Sequence, residues 1–175
     1  PTGYISSDHA VMSAVRAAME DVTGAEHRLT QDCGTDGCSI PTHAISLDAM
    51  ALGFARMATG SDLSDDRATA AKRLINACMA HPWYVAGTNR FCTSFMELGA
   101  GRLFAKTGAE GGFCWAIPEV GYGIALKCDD GGTRGAEAMM AAVTAKLLAE
   151  TDPLHETLHG LCHRSMRNWY GIVVG

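Results

Sequence analysis

The stretch GRLFAKTGAEGGFCWAIPEVGYGIAL, Gly101 to Leu126, decides the fold. Arg102 to Lys106, Phe113 to Ile117 and Tyr122 to Cys128 are short runs rich in apolar and aromatic residues. A glycine-rich connection and Pro118-Glu-Val-Gly121 separate them, which is the pattern of strands joined by tight antiparallel turns. Thr133 to Glu150 then reads as a long alanine-rich helix, with Ala136, Met140, Val143 and Leu147 at the spacing of one helical face. That face is suited to lie on the sheet.

Upstream, Ser7 or Asp8 is positioned to cap a first helix ending near Thr23, with Val11, Val15, Met19 and Val22 inward and Gly24 as its stop. Ser46 caps a second helix to about Thr59, with Leu47, Met50, Phe54 and Met57 inward and Gly60 as its end. Asp65 to Ala80 makes a third, with Ala71, Leu74, Ile75 and Cys78 on its apolar side, and His81-Pro82 closes it because a residue before proline avoids helical geometry. Tyr84 to Thr93 reads as a loop, followed by a short helix that Ser94 and Glu97 would cap. Between the first two helices lies a polar, glycine-rich loop from Thr30 to Pro41 that carries Cys33, Asp36 and Cys38. Loops of this composition often carry function. Pro153 opens a histidine-rich segment, and Trp169 to Val174 reads as a last strand. Helices, an antiparallel sheet, a helix and a strand in that order predict one α+β domain over 1–175, with helices packed on the sheet.

Composition narrows the function classes. The 175 residues are 47 % hydrophobic and 19 % charged, ordinary for a soluble globular domain. The net charge of −5 comes without a Lys/Arg cluster, so nucleic acid and anionic membrane are excluded as partners. No apolar run reaches the ~18 residues of a spanning helix, and the N-terminus carries no signal core, so a cytoplasmic location is expected. Seven cysteines, an odd and scattered number, read as reduced thiols. The chain opens on Pro1, which suggests a clipped or partial product.

Lys106-Thr107-Gly108 ends the first strand of the sheet, and K-T-G is the triplet that serine β-lactamases and penicillin-binding proteins carry beside a nucleophilic serine. That chemistry also asks for S-x-x-K, in which a lysine one helical turn on takes the serine proton. None of the nine serines has a lysine three residues later. Either the triplet is accidental or the nucleophile lies outside this chain.

Five motifs taken in order resemble a known family: Asp36-Gly-Cys-Ser-Ile-Pro41, Tyr84-Val-Ala-Gly-Thr-Asn-Arg90, Lys106-Thr-Gly-Ala-Glu-Gly111, Gly123-Ile-Ala-Leu-Lys-Cys-Asp-Asp-Gly131 and Asn168-Trp-x-Gly-x-Val-Val-Gly175. The set is similar to the C-terminal half of the L-asparaginase II family, zinc-containing amidohydrolases whose fold resembles that of serine β-lactamases. Gly3-Tyr4 and His9 fit the start of the same half. The resemblance implies hydrolysis of L-asparagine to L-aspartate and ammonia through a serine acyl-enzyme. It assigns Asp36 to binding the amino-acid substrate, Cys38 to zinc, and Lys106 to the lysine of a catalytic Ser-Lys pair. The family's N-terminal half, with its serines and its remaining zinc ligands, has no counterpart here, so this chain is expected to supply part of a site. The alternative is a catalytically silent amino-acid-binding or structural subunit of the same fold.

The residues also have readings of their own. Asp36 in a glycine-rich loop is a turn-former unless an ammonium group finds it, and Lys106 at the end of an inner strand is suited to a desolvated ammonium that Glu110 could pair. Cys33 and Cys38 in C-x4-C spacing could share a metal that still needs other donors. His155, His159 and His163 recur every four residues beside Cys162, so a helix would place the three imidazoles on one face. A metal is one reading of that face; covering a helix end is the more ordinary one. An unpaired sheet edge would favour a homo-oligomer, or pairing with the missing half.

Overall fold

A computed structural model of the chain describes residues 2–25, 33–163 and 165–175. The expectations about Pro1 and about the first part of the cysteine loop, Thr30 to Asp32, lie outside the described residues. What is described is an α+β domain in three layers, with a sheet between helices.

The sheet contains β3 (Phe104–Thr107), β4 (Gly112–Ile117) and β5 (Tyr122–Lys127), antiparallel in the order β3-β4-β5. Lys106 pairs with Cys114 and Cys114 with Ala125; Phe104 pairs with Ala116 and Ala116 with Gly123. Paired residues share a face and neighbours along a strand alternate, so Lys106, Phe104, Cys114, Ala116, Gly123 and Ala125 point one way while Phe113, Trp115 and Ile117 point the other.

The first face receives α2 (Leu47–Thr59), capped by the Ser46 hydroxyl accepting from Ala49 N at 3.2 Å and ended by Gly60 in the left-handed region. Phe54 of α2 stacks on Phe104 at 5.6 Å between ring centres. Approach is closest at Gly123, where a Cβ would stand 2.2 Å from both Ala51 O and Ala55 N. The second face holds the main core: Trp115 and Ile117 are fully buried, and Phe113 nearly so, together with Phe95 and Met96 of α5 (Phe91–Gly99) and Ala136 and Met140 of α6 (Thr133–Leu147).

Outside these layers, α1 (Ala10–Thr23) is capped by His9, whose Nδ1 accepts from Val11 N, rather than by Ser7 or Asp8; the Ser6 hydroxyl is engaged with Asp8 instead. Of the expected inward residues of α1, Val15 is exposed. α3 (Asp65–Ala80) has the expected bounds, with Ser64 as its cap, but Leu74 is exposed while Met79 is buried.

Three local expectations are corrected. Tyr84 to Thr93 is not a loop: Pro82 starts α4 (Pro82–Ala86), and α5 begins at Phe91, placing Ser94 inside the helix instead of at its cap. The decisive term is burial of Phe91 and Phe95, whose rings stack at 5.9 Å while Phe91 meets Phe113 edge-on at 6.1 Å. The cysteine loop contains a ribbon, β1 (Cys33–Thr35) antiparallel to β2 (Pro41–His43). Trp169 to Val174 is not a strand; Arg167 and Val173 form a single bridge around a turn in which Asn168 Oδ1 accepts from Tyr170 N and Ile172 N. A side chain able to imitate a backbone turn prevails there over the β-propensity of Ile172 and Val173.

The last helix, α7 (His155–Leu161), is anchored by fully buried Leu158. Arg102, just before β3, donates to Glu119 Oε2 at 2.9 Å and to Asp152 Oδ1 at 3.1 Å, so one guanidinium ties the β4–β5 connection to the segment that leads into α7. The guanidinium, with the Leu154 N–H, holds the Asp152 carboxyl down at about 2.

Two outcomes follow from this packing. Gly123→Val drives a branched side chain into the α2 backbone and should cost about 3 kcal/mol, the upper range for overpacking, in urea unfolding. Asp152 has a depressed folded-state pKa, so its contribution is present above the ordinary carboxylate value near 3.8 and is lost as pH falls toward about 2. Urea midpoints of the native chain should therefore fall more steeply across that interval than those of Asp152→Asn; parallel curves would remove Asp152 from the account.

Candidate active site

Lys106 is delivered by β3 to the face that α2 covers, near the N-terminal end of α2. A groove of about 250 Å³ runs there between strand and helix, lined by His43, Met50, Phe54, Lys106, Cys114 and Lys127 among others. It is apolar along the α2 side and cationic at the rim. Lys106 is exposed on an edge strand rather than desolvated on an inner one, and its ammonium donates to Thr107 O at 2.7 Å. The expected Glu110 pairing is replaced: Lys127 Nζ donates to the Glu110 backbone carbonyl, and among the described residues no ion pair joins Lys106 to Glu110. Cys114, below Lys106 in the register, is buried, and burial pushes its thiol up to about 11, so it is an inert wall and not a nucleophile.

Thr107 faces the opposite way. Its backbone N–H donates to Cys92 Sγ at 3.2 Å, which ties the K-T-G turn to the start of α5 and brings the Asn89-Arg90 motif beside it. A second cleft of about 230 Å³ lies at this junction, with Arg90, Thr107 and Glu137 on its walls. Two of the five motifs thus meet at the end of β3.

Asp36 and Cys38 occupy the turn of the β1–β2 ribbon. Asp36 N donates to Ile40 O at 2.9 Å, Ser39 N returns to Asp36 O at 2.8 Å, and Ser39 adopts φ 75. The Cys38 thiol donates to Asp36 Oδ2 at 3.0 Å, and this bond, helped by the N–H groups of Cys38 and Gly37, holds the Asp36 carboxyl below the usual carboxylate range. Both side chains are exposed and lie outside the lining of the Lys106 groove. The same ribbon does reach that groove at its other end, through His43. Asp36 therefore meets Cys38, and Lys106 shares its groove with His43, but the two pairs are separate.

For a metal, the turn supplies Cys38 Sγ and Asp36 Oδ2 side by side. Zinc wants four donors, and no cluster of three or more His, Cys, Asp or Glu side chains able to hold an ion forms among the described residues. Cys33 does not join the pair; its thiol donates to Gly34 O at 3.4 Å. The described residues do not make a zinc site by themselves. His43 and Lys127 are the groove residues that motif reading missed; the signal for Lys127 was its place inside the fourth motif, while nothing local marks His43.

The geometry defines a class: an α+β domain with a lysine-rimmed groove at the end of an antiparallel sheet. A model of the family described as L-asparaginase II matches residues 1–175, and the chain belongs to that family. No curated protein matches the chain. No helix among the described residues is long and apolar enough to cross a membrane.

Proposed function

We propose that this chain is the C-terminal portion of a zinc-containing, serine β-lactamase-like amidohydrolase that converts L-asparagine and water to L-aspartate and ammonia, and that it supplies one part of the site. The observation that carries this reading is the position of Lys106: a K-T-G lysine at the end of a sheet strand, opening on a small groove, in a chain matched by the family from end to end. Hydrolysing a side-chain amide asks for a cation near the reacting group, an anion for the α-ammonium and a nucleophile with oxyanion donors. Lys106 provides the first. Asp36 is the anion in this reading, favoured in its ionised form by the Cys38 thiol, on the ribbon whose other end, at His43, lines the groove. The serine that would be acylated belongs to another segment of polypeptide, since no S-x-x-K occurs in the sequence and no serine lines the groove. Zinc enters only through Cys38, with its other donors on that same segment, and no step is assigned to it. Seven cysteines suit a reducing compartment, and we place the protein in the cytoplasm.

The absence of serine from the groove lining favours a second reading, a silent subunit that binds an amino acid without turning it over. Calorimetric titration of the purified chain with L-asparagine separates the readings. Binding is expected to weaken about 10–100-fold in Lys106→Ala and in Asp36→Ala, the scale of a lost charged hydrogen bond, with ammonia release near background for the chain alone. Robust release by this chain would sink the partial-site account, and unchanged binding in both variants would sink the clamp. Activity that appears when the family's N-terminal half is added selects the enzyme over the silent subunit.

Association is part of the same reading. Within the described sheet β3 and β5 each have one neighbour, so each offers an unpaired edge to a second copy or to the missing half. Light scattering should give a mass above one chain at micromolar concentration; a clean monomer would remove the homo-oligomer.

A further inference from the structure

We infer that His159 and His163 form a clip for a first-row divalent transition-metal ion at the C-terminal end of α7, remote from the residues discussed above. A four-residue interval places consecutive histidines one turn apart on one helix face. The helical geometry outlasts α7 by one step: Cys162 keeps φ −72 and ψ −22, and His163 N donates to Gly160 O at 3.2 Å. The His159 and His163 rings are tilted by 46° with centres 5.3 Å apart, while His155 and His159 stack at 6.4 Å.

Those two separations decide which pair can share an ion. Metal–nitrogen bonds of about 2.0–2.1 Å put an ion about 3.2 Å from each ring centre, so two rings on one ion at a square-planar or tetrahedral angle lie about 4.5–5.2 Å apart. The 159–163 pair lies at the upper limit of that range and the 155–159 pair more than about 1 Å beyond it. His155-Glu156-x-x-His159 has the letter order of a zinc-protease helix. Its rings are too far apart for that use, Glu156 is exposed, and no three-donor cluster forms among the described residues. The clip is a two-imidazole site with water in the remaining positions, and it binds without hydrolytic chemistry.

Both rings line a cleft of about 470 Å³ between α6 and α7, together with Lys146, Glu150, His155 and Cys162. Buried Leu158 and the Asp152–Arg102 bond hold the short helix in place, so little ordering is required when an ion binds.

The test is titration of the chelator-treated full chain with Cu(II), Ni(II) and Zn(II), with Mg(II) as the hard-cation control. One ion should bind, tightest as Cu(II), in the order expected of nitrogen donors, with two-nitrogen hyperfine structure in the copper EPR spectrum and no binding of Mg(II). Losing a direct ligand exceeds second-shell losses of about 10–100-fold, so His159→Ala and His163→Ala should each weaken Cu(II) by at least that much, with unchanged circular dichroism. His155→Ala and Cys38→Ser should bind as the native chain does. The inference is overturned by unchanged affinity in His163→Ala, by an equal loss in His155→Ala, or by loss in Cys38→Ser, which would move the ion to the ribbon turn.

Discussion

The close approach of α2 to β5 at Gly123 is the contact on which the rest of the molecule depends. No side chain intervenes, and the helix backbone at Ala51 and Ala55 lies where a Cβ would be. This sets how deep α2 sits on the sheet, and with it the stacking of Phe54 on Phe104 and the width of the groove beside Lys106. Glycine carries an entropic cost within a strand. Here the cost is offset by layer contact along the length of the helix.

The opposite face is built differently. Aromatic and sulfur-bearing residues fill it: Phe91, Phe95, Phe113, Trp115, Met96 and Met140. Its polar edges are tied by few bonds, chiefly Arg102 to Glu119 and Asp152, and Thr107 N to Cys92 Sγ. The second of these joins the K-T-G turn to α5. The lysine and the threonine of the triplet therefore serve two faces of one sheet: Lys106 rims a groove, and Thr107 is a fastening.

Much of this was legible because the sheet strands are aromatic-rich and glycine-bounded, and α1, α2 and α3 end where glycine or proline stops them. The misread parts have different causes. Phe91 and Phe95 could be recognised as helix-forming only once Phe113 was known to lie opposite them, a contact that spans the sequence. The β1–β2 ribbon is three residues per strand and its contacts are largely its own, so no apolar alternation marks it. Asn168 replaces a strand by bonding two backbone N–H groups of its own turn, a local competition that composition does not rank. For the site, residue types and order were readable in the motifs, but their mutual placement was not. Lys106 and Asp36 belong to elements whose separation depends on how the ribbon leads into α2, and the same path brings His43 to the groove that Lys106 lines.

The three tryptophans differ sharply in surroundings. Trp115 is fully enclosed with an indole N–H that finds no hydrogen-bond partner among the described residues, Trp83 is about half open, and Trp169 is 95 % exposed. Excited indoles report the polarity around them, so the native emission is a superposition of a short-wavelength component from the sheet and a long-wavelength one from the terminal turn. Loss of the central layers would shift the first component most and the half-open Trp83 less, making the blue edge of the spectrum an optical gauge of the sheet that is blind to the tail.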